Sequence, residues 1–126
     1  MPEYIDPATI LRRIPYQGLT TFWRVPYVQD LDGVDVAVYG VPFDAGTSNR
    51  PGARFGPRSI REQSCYVGLY DRCWPHDYAF KDRLRLIDYG DVVSFPGRTE
   101  DMIAAVEESV SKLEQIPVDF THSLHA

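Results

Sequence analysis

Four arginines, Arg50, Arg54, Arg58 and Arg61, lie within twelve positions, in a segment that also carries Asp44, Ser48 and Asn49. A guanidinium group grips a carboxylate through two parallel hydrogen bonds, and a helix amino terminus favours negative charge. Asp44, Ser48, Asn49, Arg50 and Arg54 are therefore candidates for a loop that contacts an anion or the carboxylate of a small molecule at the mouth of a site. The arginines also have acidic partners elsewhere in the chain, namely Asp44, Glu62, Asp88 and Asp91. Ion pairs that order the loop are the favoured reading, since a cluster of guanidinium groups would repel a cationic ligand. No phosphate cradle is indicated: the spacing from Gly46 to Gly52 only resembles that of a P-loop, and the Lys-Ser/Thr that should follow is absent.

Metal chemistry has weaker candidates. Asp88 and Asp91 could in principle bind a cation or act as bases at the end of a strand. His76 stands alone between Pro75 and Asp77 and reads as a surface residue. His122 and His125 lie three apart near Asp119, but chain ends fray and metal ligands need a firmly packed backbone. No catalytic residue and no metal ligand is assigned from these residues.

The elements that must position the arginine segment are legible around it. Val34 to Val41 is an apolar run broken mainly by Asp35 and Tyr39, which suits a strand buried on both faces of a parallel sheet. Pro42 ends it. From Asp44 to Gly56 the residues are turn formers, and Pro57 fits the first position of a helix that Ser59 to Tyr66 continue. A strand, a long ordered loop and a helix follow one another. In an open parallel sheet, ligands bind at such loops, outside the carboxyl ends of the strands. Leu84, Leu86 and Ile87 give a second strand, ended by Asp88-Tyr89-Gly90-Asp91. Thr99 is the expected N-cap of a second long helix, whose apolar stripe is Ile103, Val106, Val110 and Leu113. Pro117 stops it, and Val118 to Phe120 would begin a third strand.

Residues 1–32 form an irregular arm rich in proline and aromatics, with a short helical turn expected from Asp6-Pro7 to Arg13. Tyr16, Phe22, Trp23 and Tyr27 are expected to cover a sheet edge or another subunit. Residues 33–126 make up the α/β unit. At 126 residues the chain fits one domain or less. Its net charge of −5 argues against nucleic acid or an anionic membrane as partner, and no stretch approaches the length of a membrane span. Cys65 and Cys73 match neither a disulfide framework nor a metal pair, so they are expected to be reduced thiols in the cytoplasm.

The segment Gly40-Val41-Pro42, Asp44, Gly46-Thr47-Ser48, Arg50 through Pro57 and Ile60-Arg61 resembles the first signature of the ureohydrolases. It is closer to the agmatinase and guanidinobutyrase branch than to arginase. Thr21 to Pro26 and Asp88 to Val92 resemble that family's flanking segments, in the right order, so the likeness covers roughly residues 15 to 115. It implies a three-layer α/β fold with a central parallel sheet, represented here by its amino-terminal portion. It also implies manganese-dependent hydrolysis of a guanidinium compound to urea and an amine, with a metal-bridging hydroxide as nucleophile. The family's metal ligands sit in Gly-Gly-Asp-His, Asp-Ala-His-x-Asp and a late Asp-x-Asp, and none of these occurs in the chain. The expectation is therefore a truncated agmatinase-like chain that binds no manganese and is inactive by itself. It is expected to self-associate or to join full-length subunits. Two other readings stay open: a non-catalytic fragment that docks on full-length subunits through its aromatic arm, and a small anion-binding module.

Overall fold

In a computed structural model the described residues are 14–67, 75, 78 and 80–114. The expected Asp6–Arg13 turn, Cys73, all three histidines and the third strand lie outside them. Two strands, β1 (Val36–Gly40) and β2 (Leu86–Asp91), pair in parallel. Three helices are described: α1 (Gly56–Val67), the single turn α2 (Phe80–Arg83) and α3 (Thr99–Leu113). None is long and apolar enough to cross a membrane.

β1 is shorter than the apolar run that announced it. Val34 is buried but belongs to a turn, its N–H donating to the Leu31 carbonyl. Val36 at the start of the strand and Val41 just beyond it are exposed, so β1 is only partly covered. β2 is longer than expected and takes in Asp88 and Asp91 as strand residues. Their charge and the glycine had suggested a loop, but ladder pairing continues through both.

The register runs Val36 to Leu86, Ala37 to Ile87 and Val38 to Asp88, then skips Tyr89 so that Tyr39 faces Gly90. The skip is a bulge, which adds a residue to one strand and re-aims those that follow. Gly90 supplies it with a φ of 92°. A side chain there would also meet Tyr27, 2.9 Å from its hydroxyl.

The second edge of β2 is covered by the arm. Asp88 donates its N–H to the Pro26 carbonyl at 2.9 Å and accepts from the Val28 N–H at 3.2 Å. Proline suits an edge position because it has no N–H to offer a ladder. The aromatic arm thus covers a sheet edge, with Tyr27 bridged to Asp88. Before it, Phe22–Arg24 make one 3-10 turn that packs on α1.

The inward face of α3 matches the expected stripe only in part, at Val106 and Leu113. On α3, Met102 is buried and Ala105, Val106, Ser109 and Leu113 are partly covered, while Ile103 and Val110 face outward. Helix α3 starts at Thr99, with Arg98 in the capping position and no side-chain cap. The Arg98 N–H closes a turn on the Phe95 carbonyl, and its guanidinium pairs with Asp101. Beyond its first residue, Gly56, the covered positions of α1 are Pro57, Arg61, Ser64 and Cys65, spaced as one helical stripe. Three of these four are not aliphatic, and they build the site.

Candidate functional site

Asp88 is the centre of the larger polar cluster. Its side chain is completely buried, and Arg61 of α1 reaches it across the sheet face, Nε to Oδ2 at 2.7 Å and Nη2 to Oδ1 at 2.9 Å. This is the two-bond geometry that makes arginine–carboxylate pairs strong. The same guanidinium donates to Asp91 Oδ1 at 2.7 Å and to the Gly90 carbonyl at 2.9 Å. Asp88 also accepts the backbone N–H of Phe22 at 2.8 Å and of Gly90 at 3.0 Å. Every group that points at this carboxylate is a donor. Burial pushes the Asp88 carboxyl up, but the hydrogen bonds from Arg61, Phe22 and Gly90 outweigh it and hold it below the usual range. Arg61 is shifted upward in turn, chiefly by its hydrogen bond to Asp88.

Ser64, one turn further along α1, accepts the Trp23 N–H at 2.9 Å and donates to the Arg61 carbonyl at 2.7 Å. Ser64 thus ties the arm to the helix, and Asp88, itself held by Arg61, ties it to the strand. Gly40 is needed for the same packing, because a Cβ there would fall 1.9 Å from Asp91 Oδ1 and 2.8 Å from Pro57 Cβ.

The second cluster lies in the loop beyond β1. Asp44 is buried, with its side chain 1% exposed. Its Oδ1 accepts from Arg54 Nε at 2.6 Å, and its Oδ2 accepts the N–H groups of Gly52 at 2.6 Å and Arg54 at 3.2 Å. The Asp44 carbonyl takes both the N–H and the hydroxyl of Thr47. Gly52 permits this closure with a φ of 152°. One carboxylate therefore shapes the loop from both ends. The hydrogen bond from Arg54 holds the Asp44 carboxyl down to about 2 against the opposing effect of burial.

The candidate loop residues separate into two groups. Asp44 and Arg54 are bound to each other inside the loop, whereas Ser48, Asn49 and Arg50 are exposed. Arg58 pairs with Glu62 one turn along α1. Three of the four clustered arginines thus pair with carboxylates of the same chain. Asp88 and Asp91 were among the acidic partners expected for the arginine cluster, and both pair with Arg61; which arginine takes them was not legible, because they lie 27 and 30 positions away and only the crossover from β1 through α1 to β2 brings them together. The Ser64 anchor was also missed, because serine within a helix usually marks nothing.

The described residues do not fit a manganese centre. The described residues contain no group of three or more His, Cys, Asp or Glu placed to hold one ion. Asp88 and Asp91 come nearest to being a pair of carboxylate ligands, and Arg61 bonds to both. A guanidinium occupies the position a cation would need, so no chemical step is routed through a metal here.

Residues 34–118 match the arginase family. The human mitochondrial guanidino acid hydrolase is 39% identical over 97 residues, which are 76% of this chain and 27% of that protein. The mitochondrial agmatinase of Gallus gallus is 40% identical over 96 residues, 76% of this chain and 28% of that one. Among solved structures, a hypothetical agmatinase from Burkholderia thailandensis superposes with a TM-score of 0.76 at 36% identity. That match covers 82% of this chain and 32% of the other. The chain therefore spans less than a third of the length of these relatives.

Proposed function

This chain belongs to the arginase family, and from that premise we propose that it is the scaffold and mouth segment of an agmatinase-like hydrolase of guanidinium compounds. The observation that carries the proposal is the loop from Pro42 to Phe55. It carries the family-like residues, follows the carboxyl end of β1 and is held in one shape by buried Asp44. That is the end of a parallel sheet where ligands bind. In this reading Asp44 and Arg54 are internal struts, and Ser48, Asn49 and Arg50 are the side chains free to meet a substrate or its carboxylate. Agmatine, a cation, and 4-guanidinobutyrate, which carries a carboxylate, are the substrates to compare. Any manganese would be held by motifs that this sequence does not contain, so the 126 residues alone are expected to be inactive. Assembly as a homo-oligomer or with longer subunits belongs to the same proposal, as does a reducing compartment such as the cytoplasm.

A hybrid enzyme tests this. Residues 34–118 of this chain replace the matching segment within the full-length Gallus gallus agmatinase, and urea release is followed with both substrates. The hybrid is expected to release urea. Arg50→Ala in it is expected to change the ratio of the two substrates without abolishing turnover. A folded hybrid that releases no urea, or an Arg50→Ala variant with an unchanged ratio and unchanged KM values, would overturn the scaffold and the mouth assignments respectively.

A further inference from the structure

Residues Thr21–Val28 form a strap across α1 and β2, and it is attached differently from the elements beneath it. Val25 is its one fully buried apolar residue, Phe22 and Trp23 are half-buried against α1, and Tyr27 and Val28 are exposed. Polar bonds add to this limited packing: Phe22 N–H to Asp88, Trp23 N–H to Ser64, and the two backbone bonds with Asp88. Trp23 and Arg24 take φ values of 48° and 57°, in the left-handed region that side chains other than glycine rarely adopt. Arg24 spreads its guanidinium over the carbonyls of Ile14, Pro15, Gln17 and Leu19, and its Nε is buried without a partner. Segments with few buried apolar contacts and stored strain open at a lower free energy than core elements. By contrast, β1 and β2 share a ladder around Ile87, which is 2% exposed.

We infer that the strap is a releasable cover, which lifts from α1 and β2 as a unit while the strands and α1 stay folded. Asp88 couples its position to the carboxyl end of β2. The carboxylate that accepts Phe22 also holds Arg61, and Arg61 holds Gly90 and Asp91. Release leaves the two bonds from Arg61 to the Asp88 carboxylate in place, and opens one acceptor site on that carboxylate together with the Asp88 backbone N–H and carbonyl to water. The inference does not depend on the hydrolase reading, because it concerns only the order in which elements detach.

Cys65 reports the motion. It is 3% exposed and lies beneath the strap, its sulfur 3.6 Å from the Thr21 carbonyl. In dilute Cys73→Ser chain, the thiol is titrated with a chromogenic disulfide across low urea concentrations. The expected rate is well below that of the urea-unfolded chain and nearly independent of urea, because a local opening exposes little surface. Ser64→Ala, which removes the Trp23 anchor, should speed labelling roughly tenfold, and Glu108→Gln on α3 should not change it. In the unaltered chain, the amide protons of Phe22 and Trp23 should exchange faster than the Val92 amide, which donates to Gly40 next to the ladder. Labelling that climbs with urea as steeply as global unfolding overturns the inference. So does labelling at the unfolded chain's rate, an unchanged rate in Ser64→Ala, or equal protection of strap and Val92 amides.

Discussion

Asp88 does the work of a core residue although it is charged, and its environment says why this is tolerated. A buried carboxylate is costly unless its oxygens are fully bonded, and here Arg61, Phe22 and Gly90 provide four donors. Removing one partner of such a pair typically costs about 3–5 kcal/mol. Arg61→Met is therefore expected to remove most of the chain's stability, read as the urea midpoint by circular dichroism; a midpoint close to that of the unaltered chain would show the pair to be dispensable. Asp44 makes a different prediction. Its folded value of about 2 lies below the ordinary 3.8, so its stabilisation is present above pH 4 and lost as pH falls from there toward 2. Asp88, also lowered, adds a loss in the same direction. The urea midpoint should fall steeply over that window, and less steeply in Asp44→Asn. Arg54→Ala should make the loop from Asp44 to Phe55 a faster protease target, whereas Arg50→Ala should not, since Arg50 is exposed and Arg54 holds Asp44.

At the scale of elements, the strands, the loop and the long helices were legible because each has a local signal. Valines mark β1, glycines and Pro51 mark the loop, and Pro57 marks the start of α1. The inward face of α1 was not legible, because Arg61, Ser64 and Cys65 carry no hydrophobic periodicity while Ile60 and Val67 face outward. The face of α3 was legible only in part, for a related reason. It has apolar residues on two sides, and spacing alone cannot tell Met102 from Ile103. The extent of β2 was hidden because Asp88 and Gly90 normally end strands, yet here the bulge and Arg61 keep them in the ladder. The contact between β1, β2 and α1 gives a sharp prediction. Gly40→Ala places a methyl group against Asp91 and Pro57, and overpacking of this kind usually costs about 1–3 kcal/mol. Thermal melts should show a clear loss for Gly40→Ala and almost none for Gly46→Ala, where open space surrounds the added carbon.

At the scale of the molecule, the described sheet has two strands plus the strap, and β1 pairs on one edge only among the described residues. Phe55, Ile60, Val93 and Ile103 are exposed around it. Exposed apolar edges recruit other chains, so gel filtration should show the apparent mass rising with concentration; a concentration-independent monomer would contradict this. The central claim is that these residues supply scaffold and mouth to a guanidinium hydrolase but no metal centre of their own. It is tested most directly by assaying the isolated 126-residue chain for bound manganese after dialysis and for urea release from agmatine and 4-guanidinobutyrate. The expected result is no stoichiometric manganese and no urea. Manganese retained at about two ions per chain, as a two-metal site would require, together with urea release, would contradict it.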